Sequence, residues 1–356
     1  MLVLSDNCNL ACSYCYENHK KNSMDFIVAK DIIDREFKEI KDKDIKIFFF
    51  GGEPFLNFNT LQMIYDYVEK TYYNYNITYA VTTNGTLVHN DVQNWLYERR
   101  NKFEITLSID GTAEMHNRNR RYNNGQGSFE KIDLNFFILA WPGCISKMTI
   151  SKDTIADFAD GVIFLESMGF TCKANFASGV DFELNKTGQI IHENMIRLAE
   201  YYSSNDKKLC YMLDLNLKSI LNPLDKNFRY CGAGNNRHCY NAKGDGWYPC
   251  QGLMPMSVGD NEEIFKKCSF EEGSVMELSP CRSCRFIRIC KTCYAMNYSS
   301  TKDVWTPDSQ MCFLNKACML TSAKIQYNRM KKSGTEDPVL VKAISYIVQD
   351  LNHIFD

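Results

Sequence analysis

Ile45-Lys46-Ile47-Phe48-Phe49-Phe50 runs directly into Gly51-Gly52-Glu53-Pro54, and apolar side chains then recur at Leu61, Ile64, Tyr65 and Val68. The first run has the aromatic and β-branched character of a strand, and the second set has helical spacing. Two glycines and a proline between them make a loop that continues neither element. The stretch therefore spells one βα unit. The same alternation is found on either side of it. Strands are expected at Leu2 to Ser5, Ile45 to Phe50, Ile77 to Thr83, Phe103 to Ile109, Ile145 to Ile150 and Thr171 to Ala177. Helices are expected around Ile32 to Ile40, Leu61 to Val68, Asn90 to Arg99, Ser128 to Ala140, Thr154 to Met168 and Gln189 to Ser203. Six such units give an α/β fold with a parallel sheet, either an open doubly wound sheet or a partial barrel, and periodicity does not separate the two. In both, the loops at the carboxyl ends of the strands carry the function.

Four unusual segments follow the first four strands and so share one rim: Cys8 to Cys15, Gly51-Gly52-Glu53-Pro54, Thr82-Thr83-Asn84-Gly85 and Ser108-Ile109-Asp110-Gly111. The chain of 356 residues has a net charge of -2, so no long-range field gathers phosphates, and no basic patch argues for nucleic acid. No apolar run is long enough to span a membrane, and the first residues lack the pattern of a secretion signal. A cytoplasmic chain is expected, and a reducing compartment does not keep structural disulfides. The 16 cysteines then need another use. Three fall at Cys8, Cys12 and Cys15, and ten between Cys231 and Cys318. Beyond Asn205 the apolar pattern dissolves until Met319, a composition that calls for metal to order it. Helical character returns in the tail, including Val339 to Ile354.

Three thiolates on a tight loop suit a four-iron cluster with one iron left open. A zinc site closed by His19, or three buried thiols, is the alternative for the triplet alone. The pattern Cys8-x3-Cys12-x2-Cys15, with Tyr14 just before the last cysteine, resembles the radical S-adenosylmethionine superfamily, and Gly51-Gly52-Glu53-Pro54 resembles that family's GGEP segment. The resemblance implies a partial (β/α)6 TIM-like barrel, followed by a cysteine-rich auxiliary-cluster domain and a helical tail. It implies an open iron that chelates S-adenosyl-L-methionine and, when reduced, cleaves it to a 5′-deoxyadenosyl radical. It further implies cofactor contacts by Tyr14, Gly51, Gly52, Glu53, Asn84, Ser108 and Asp110, with the backbone and Glu53 on the methionine amino group. Without the resemblance, Asn84-Gly85 and Ser108 to Gly111 read as turns.

Cys281-x2-Cys284 and Cys290-x2-Cys293 read first as zinc knuckles. Together with Cys231, Cys239, Cys250 and Cys312 they make eight thiolates, enough for two fully ligated four-iron clusters. This set resembles the SPASM extension of peptide-modifying radical enzymes. It departs in the two-residue gap before Cys293 and in the placement of Gly244 and Gly246. The resemblance implies one auxiliary cluster on Cys231, Cys239, Cys250 and Cys293, a second on Cys281, Cys284, Cys290 and Cys312, and hence three [4Fe-4S] clusters in all. Cys268 and Cys318 are spares, and Cys144, Cys172 and Cys210 read as buried thiols.

The expected organisation is a barrel over 1–205, a connector over 206–225, an auxiliary-cluster domain over 226–318 and helices over 319–356. The activity implied is modification of a ribosomally made precursor peptide by crosslinking, oxidation or epimerisation, with a flavodoxin- or ferredoxin-type electron donor. Anaerobic sulfatase maturation ranks lower, because that branch carries Pro-Cys-Asp where this chain has Pro249-Cys250-Gln251, and glutamine accepts no proton at neutral pH. Gln251 is the substrate-facing candidate. The first strand starts at Leu2, so leader binding is expected on the barrel, the tail helices or a separate protein. A zinc-ordered binding module is the rival from another class. The basic run His116 to Arg121 could meet the cofactor carboxylate or an acidic peptide, but at least two of its three arginines are expected on a solvated loop.

Overall fold

The computed structural model describes residues 1–223, 231–234, 237–259, 262–268, 270 and 280–355. Six strands pair in parallel in strictly sequential order: β1 (Leu2–Ser5), β2 (Asp44–Gly51), β3 (Asn76–Thr83), β4 (Phe103–Ser108), β5 (Ile145–Ile150) and β6 (Thr171–Phe176). The expected strands agree with these to within a residue at each end. A doubly wound sheet reverses its order at a switch point. Here no reversal occurs, so right-handed crossovers place every helix on one face and leave the other concave. The partial barrel is the architecture formed.

The crossovers contain α1 (Phe26–Glu39), α2 (Phe58–Thr71), α3 (Asp91–Glu98), α4 (Ala113–Asn119), α5 (Leu134–Ala140) and α6 (Phe158–Ser167), and α7 (Leu184–Ser204) follows β6. Two helices are shorter than their periodicity suggests. The run expected from Ser128 is a single turn, Phe129–Lys131, and α5 begins only after Asp133, whose carboxylate caps the Phe136 N–H. The helix expected from Thr154 begins at Phe158.

Alternation along the strands decides which face meets what. On β1 and β2, Leu2, Leu4, Ile47 and Phe49 pack under the helices in the main core. Val3 and Phe50 point the other way, into a second core with Tyr248, Leu253, Met254, Phe265 and Tyr294. The cysteine-rich part of the chain therefore covers the concave face at this edge. Two strands too short to show a period extend the sheet there. β7 (Cys239–Tyr240) pairs in parallel with β1, and β8 (Trp247–Tyr248) pairs antiparallel with β7. Beyond α8 (Tyr294–Thr301), the long α9 (Ser309–Ser333) packs on α7 and contributes Leu314, Ala317 and Ile325 to the main core. α10 (Pro338–Leu351) packs on α9.

Of the expected domain limits, 205 coincides with the end of α7, whereas 318/319 falls inside the unbroken helix α9. The limit at 225/226 lies outside the described residues.

Candidate active site

The cysteine loop is fastened from two sides by backbone bonds that do not use its thiols. The Gly52 N–H donates to Ser5 O at 2.9 Å and the Glu53 N–H to Asn7 O at 3.0 Å. From the segment after α4, Arg121 O accepts the Ala11 N–H at 2.7 Å and Asn119 O accepts the Ser13 N–H at 3.0 Å. This contact dictates the two glycines. A β-carbon at Gly51, whose φ is +147°, would lie 2.2 Å from Ser5 O, and one at Gly52 would lie 2.5 Å from Asn7 O. Only glycine allows two backbones so close.

The loop after β3 joins the same assembly. Asn84 Nδ2 donates to Asn9 Oδ1 at 2.9 Å and lies 3.8 Å from Cys8 Sγ, while Asn9 Nδ2 donates to Thr86 Oγ1 at 2.8 Å. Glu53 is fully buried and ties the β2 and β3 loops together. It accepts from Thr83 Oγ1 at 2.8 Å, the Asn84 N–H at 2.8 Å and the Phe55 N–H at 3.1 Å. Its carboxylate, expected on the methionine amino group, thus meets three donors of this chain.

Burial pushes the Glu53 carboxyl up to about 7, against the pull of those three donors. The folded state then binds this proton more readily than the unfolded chain. Stability contributed by Glu53 is greatest below its ordinary value of 4.5 and is lost as pH rises toward 7. A shift of this size corresponds to roughly 3 kcal/mol. Urea unfolding of the metal-free chain is expected to show a slope of stability against pH between 5 and 7 that is shallower in Glu53→Gln. Equal slopes in the two proteins would refute this.

Asp110, at the end of β4, is also fully buried. Tyr14 Oη donates to its Oδ2 at 2.5 Å, Arg120 Nη2 donates to Oδ1 at 3.1 Å with Nε 3.0 Å from Oδ2, and the Thr149 N–H donates to Oδ1 at 2.9 Å. The carboxylate expected near a cofactor is therefore saturated by its own chain. Its effect on the cysteine loop passes through Tyr14. Ser108, the last residue of β4, is buried two residues earlier on the same rim. Of the three arginines in the basic run, Arg118 pairs with Asp157 and Arg121 bonds Asn117 O at the surface, while Arg120 is the buried one. Burial and Arg120 push the adjacent His116 down to about 3, so it is neutral. Asn119, which the sequence did not single out, accepts from Ser13 Oγ at 3.0 Å and Ser151 Oγ at 2.8 Å. No spacing rule marks such a residue.

Burial raises Cys8 and Cys15 to about 12 each, with neighbouring carboxylates and thiols adding to it. Thiols so placed become thiolates only with a cation to hold them, which fits a metal cluster. His19 Nε2 lies 3.4 Å from Cys15 Sγ, as the zinc alternative requires. Among the described residues, however, no three Cys, His or acidic side chains converge on a single-ion site. A four-iron cluster needs no such convergence, since each thiolate takes a different iron.

The later cysteines fall into two neighbourhoods. Cys250 is raised first by burial and then by Cys293, Cys239 and Cys231. Cys290 is raised by burial and then by Cys281, Cys312 and Cys284. Cys250 thus has Cys293, Cys239 and Cys231 near it, and Cys290 has Cys281, Cys312 and Cys284. Cys144, Cys172, Cys210 and Cys318 are buried, and Cys268 is half-buried beside the second core. Gln251 opens a short turn after Cys250, and its Oε1 is buried without a partner.

Residues 2–135 match the Radical SAM superfamily. This segment is a radical SAM domain. It contains the cysteine loop, the GGEP turn and the ends of β3 and β4. The chain is 34% identical over 145 residues to a cysteine-type anaerobic sulfatase-maturating enzyme of Clostridium novyi, covering 38% of each. It is 26% identical over 261 residues to the radical SAM cyclopropyl synthase TigE of Paramaledivibacter caminithermalis, covering 65% of this chain and 53% of that one. The chain thus spans about half the length, or less, of these curated relatives. Solved structures of anSMEcpe share the fold. The form with bound AdoMet superposes with a TM-score of 0.68 at 21% identity over 99% of this chain and 97% of that one. A form with AdoMet and the Cp18Cys peptide gives 0.68 at 20% over 97% and 98%. The fold shared with anSMEcpe thus extends over nearly the whole chain, with the radical SAM segment at its start.

Proposed function

We propose that this chain is a radical S-adenosylmethionine enzyme that modifies a ribosomally made peptide by crosslinking, oxidation or epimerisation. One observation carries the reading: the loop that bears Cys8, Cys12 and Cys15 is fastened to the Gly51-Gly52-Glu53 turn, with Cys8 beside Asn84, on the rim of a partial barrel. Cys8, Cys12 and Cys15 would hold a four-iron cluster, and the backbone at Gly51 to Glu53, with Asn84, Ser108 and Tyr14, would face the cofactor. When bound, the cluster and S-adenosylmethionine supply a 5′-deoxyadenosyl radical. The protein's own task is placement: Asp110 and Arg120 fix Tyr14 against the loop, and Glu53 fixes the turn.

Two further four-iron clusters are assigned to Cys231, Cys239, Cys250 and Cys293, and to Cys281, Cys284, Cys290 and Cys312. The mutual influence of the thiols within each set supports this grouping. An auxiliary-cluster unit then begins after α7 and ends within α9. Support for a peptide substrate comes from the sulfatase-maturating relative and from the Cp18Cys peptide bound in an anSMEcpe structure. A flavodoxin- or ferredoxin-type protein is the proposed electron donor, and a separate leader-binding protein remains one of three routes to recognition. The cytoplasm is the proposed compartment, supported by cysteine usage. Among the described residues no helix is long and apolar enough to cross a membrane.

The test is iron, sulfide and zinc content after reconstitution without oxygen, followed by dithionite-driven 5′-deoxyadenosine formation. About twelve irons per chain are expected. Cys281→Ala is expected to lose about four of them and to spoil peptide modification more than cofactor cleavage. Zinc without sulfide or cleavage would replace this reading with a metal-ordered binding module. Sulfatase-type maturation is the second reading, favoured by the maturase relatives. Gln251 opposes it, and formylglycine formed on a cysteine-bearing sulfatase peptide would decide for it.

A further inference from the structure

The second core covers the concave face beside β1 and β2, whereas β5 and β6 stand at the far edge of the sheet. Along these two strands Met148, Ile150, Cys172 and Ala174 pack in the main core under the helices. Lys147, Thr149, Lys173 and Asn175 alternate with them and so project from the concave face. Register sets Ser108 beside Lys147 and Lys147 beside Lys173. Two lysine stems therefore leave adjacent strands about 4.8 Å apart, level with the last residue of β4. Lys147 is half-buried and Lys173 is exposed. Among the described residues neither ammonium has a hydrogen bond or an ion pair. The charged and titratable groups that act on Lys147 are Arg120, Glu17, Asp110 and Cys15. Asp110 is saturated by Tyr14, Arg120 and the Thr149 N–H, and Glu17 accepts from the Tyr16 hydroxyl. Glu104, on the concave face of β4, is paired with Lys46.

Like charges side by side on a sheet repel each other. Burial, followed by Arg120, lowers the Lys147 ammonium from its ordinary value, so keeping the charge there costs free energy. An anion between the two lysines would offset both costs, and two ammonium groups can donate to the two oxygens of one carboxylate. The surroundings beyond β6 have the same sign. A cavity of about 60 Å³ adjoins Asn175 and Phe176, and Lys291 is the one charged residue among the described residues that line it. The substrate proposed above is a peptide, whose anionic groups are carboxylates. We propose that Lys147 and Lys173 bind a carboxylate of the peptide substrate, carried by an acidic side chain or by its carboxyl terminus. This rests on the peptide-modifying reading and adds the charge of the group that the substrate brings to the barrel.

Calorimetric titration of the reconstituted full chain, with S-adenosylmethionine and without reductant, tests it with three probes: Nα-acetyl-alanyl-glutamyl-alanine amide, its glutaminyl counterpart, and Nα-acetyl-trialanine with a free carboxyl terminus. Saturable binding of one of the two carboxylate peptides is expected, at least about tenfold tighter than that of the glutaminyl amide. Tighter binding of the glutamyl peptide points to an acidic side chain, and of trialanine to a carboxyl terminus. Lys147→Met is expected to weaken that binding roughly tenfold or more, the usual effect of losing a charged hydrogen bond. Should Lys147→Met fail to take up iron, Lys173→Glu decides, because the exposed position tolerates the change and the introduced carboxylate would occupy Lys147 in the peptide's place. Absence of saturable binding overturns the proposal. So does equal binding of the glutaminyl peptide, or an affinity that Lys173→Glu leaves unchanged. Loss of S-adenosylmethionine affinity in both variants, with peptide binding intact, would also overturn it and assign the lysines to the cofactor's carboxylate. The titration involves no radical chemistry, so failure to discriminate the peptides while 5′-deoxyadenosine formation stands refutes this site and not the reading on which it rests.

Discussion

Replacing Cys8, Cys12 and Cys15 together by alanine is expected to abolish 5′-deoxyadenosine formation and to remove about four irons per chain, while the fold persists. The fold should survive because the loop's fastening is independent of its thiols. The bonds from Ala11, Ser13, Gly52 and Glu53 are all backbone to backbone. Without metal these thiols are protonated and half-buried or exposed, so their removal leaves no unpaired charge. Anaerobic reconstitution with iron analysis, circular dichroism and chromatographic detection of 5′-deoxyadenosine would check all three points. Retained cleavage would refute the assignment of the triplet, and loss of the folded spectrum would show that the thiols have a structural role.

Asp110→Ala should cost more stability than any other single change around the rim, about 3–5 kcal/mol, because it leaves the buried Arg120 guanidinium without its partner. Arg120 does not escape by losing its proton, since its guanidinium stays charged. The Thr149 N–H and Tyr14 Oη lose their acceptor in the same step. Asp110→Asn keeps one acceptor oxygen and should cost less, roughly 1.5–3 kcal/mol. In Arg120→Met with Asp110→Ala the two losses should not add, because each single change mostly measures the other's stranded charge. Urea unfolding of the metal-free protein reads these differences. A cost below about 1 kcal/mol for Asp110→Ala would mean that water reaches the pair and that Tyr14 is not held through it.

Much of this site was legible in order of sequence. The strands ending at Ser5, Gly51, Thr83 and Ser108 place the cysteine loop, the GGEP turn, Asn84 and Asp110 on one rim, since parallel strands deliver their carboxyl ends to the same side. The three thiols were legible because ligand chemistry depends on residue type and short spacing, which survive without coordinates. Arg121 is exposed, as ordinary solvation implies, whereas Arg118 lies in α4, half-buried and paired with Asp157.

What the side chains face was not legible. Glu53 and Asp110, both expected near a cofactor, each gather several of this chain's own donors. A sequence cannot show this, because Thr83 and Arg120 become partners only when separate loops are brought within hydrogen-bond distance. The β7–β8 hairpin was missed for a related reason: two residues make no period, and pairing with β1 supplies the order. The continuity of α9 through residue 318 was missed because its apolar positions serve α7 as well as α10, which blurs a single stripe.

By itself, then, the sequence determined the six βα units, the shared rim and the three-thiol loop. These depend on local periodicity and on the chemistry of neighbouring residues. Tertiary structure decided that the sheet curves into a partial barrel, that the cysteine-rich segment covers its concave face, and that Asp110 and Glu53 brace the loops. It also decided that Lys147 and Lys173 stand side by side on that face. Each of these is fixed by burial and hydrogen bonding between segments far apart in the chain, and such long-range closure has no local signature.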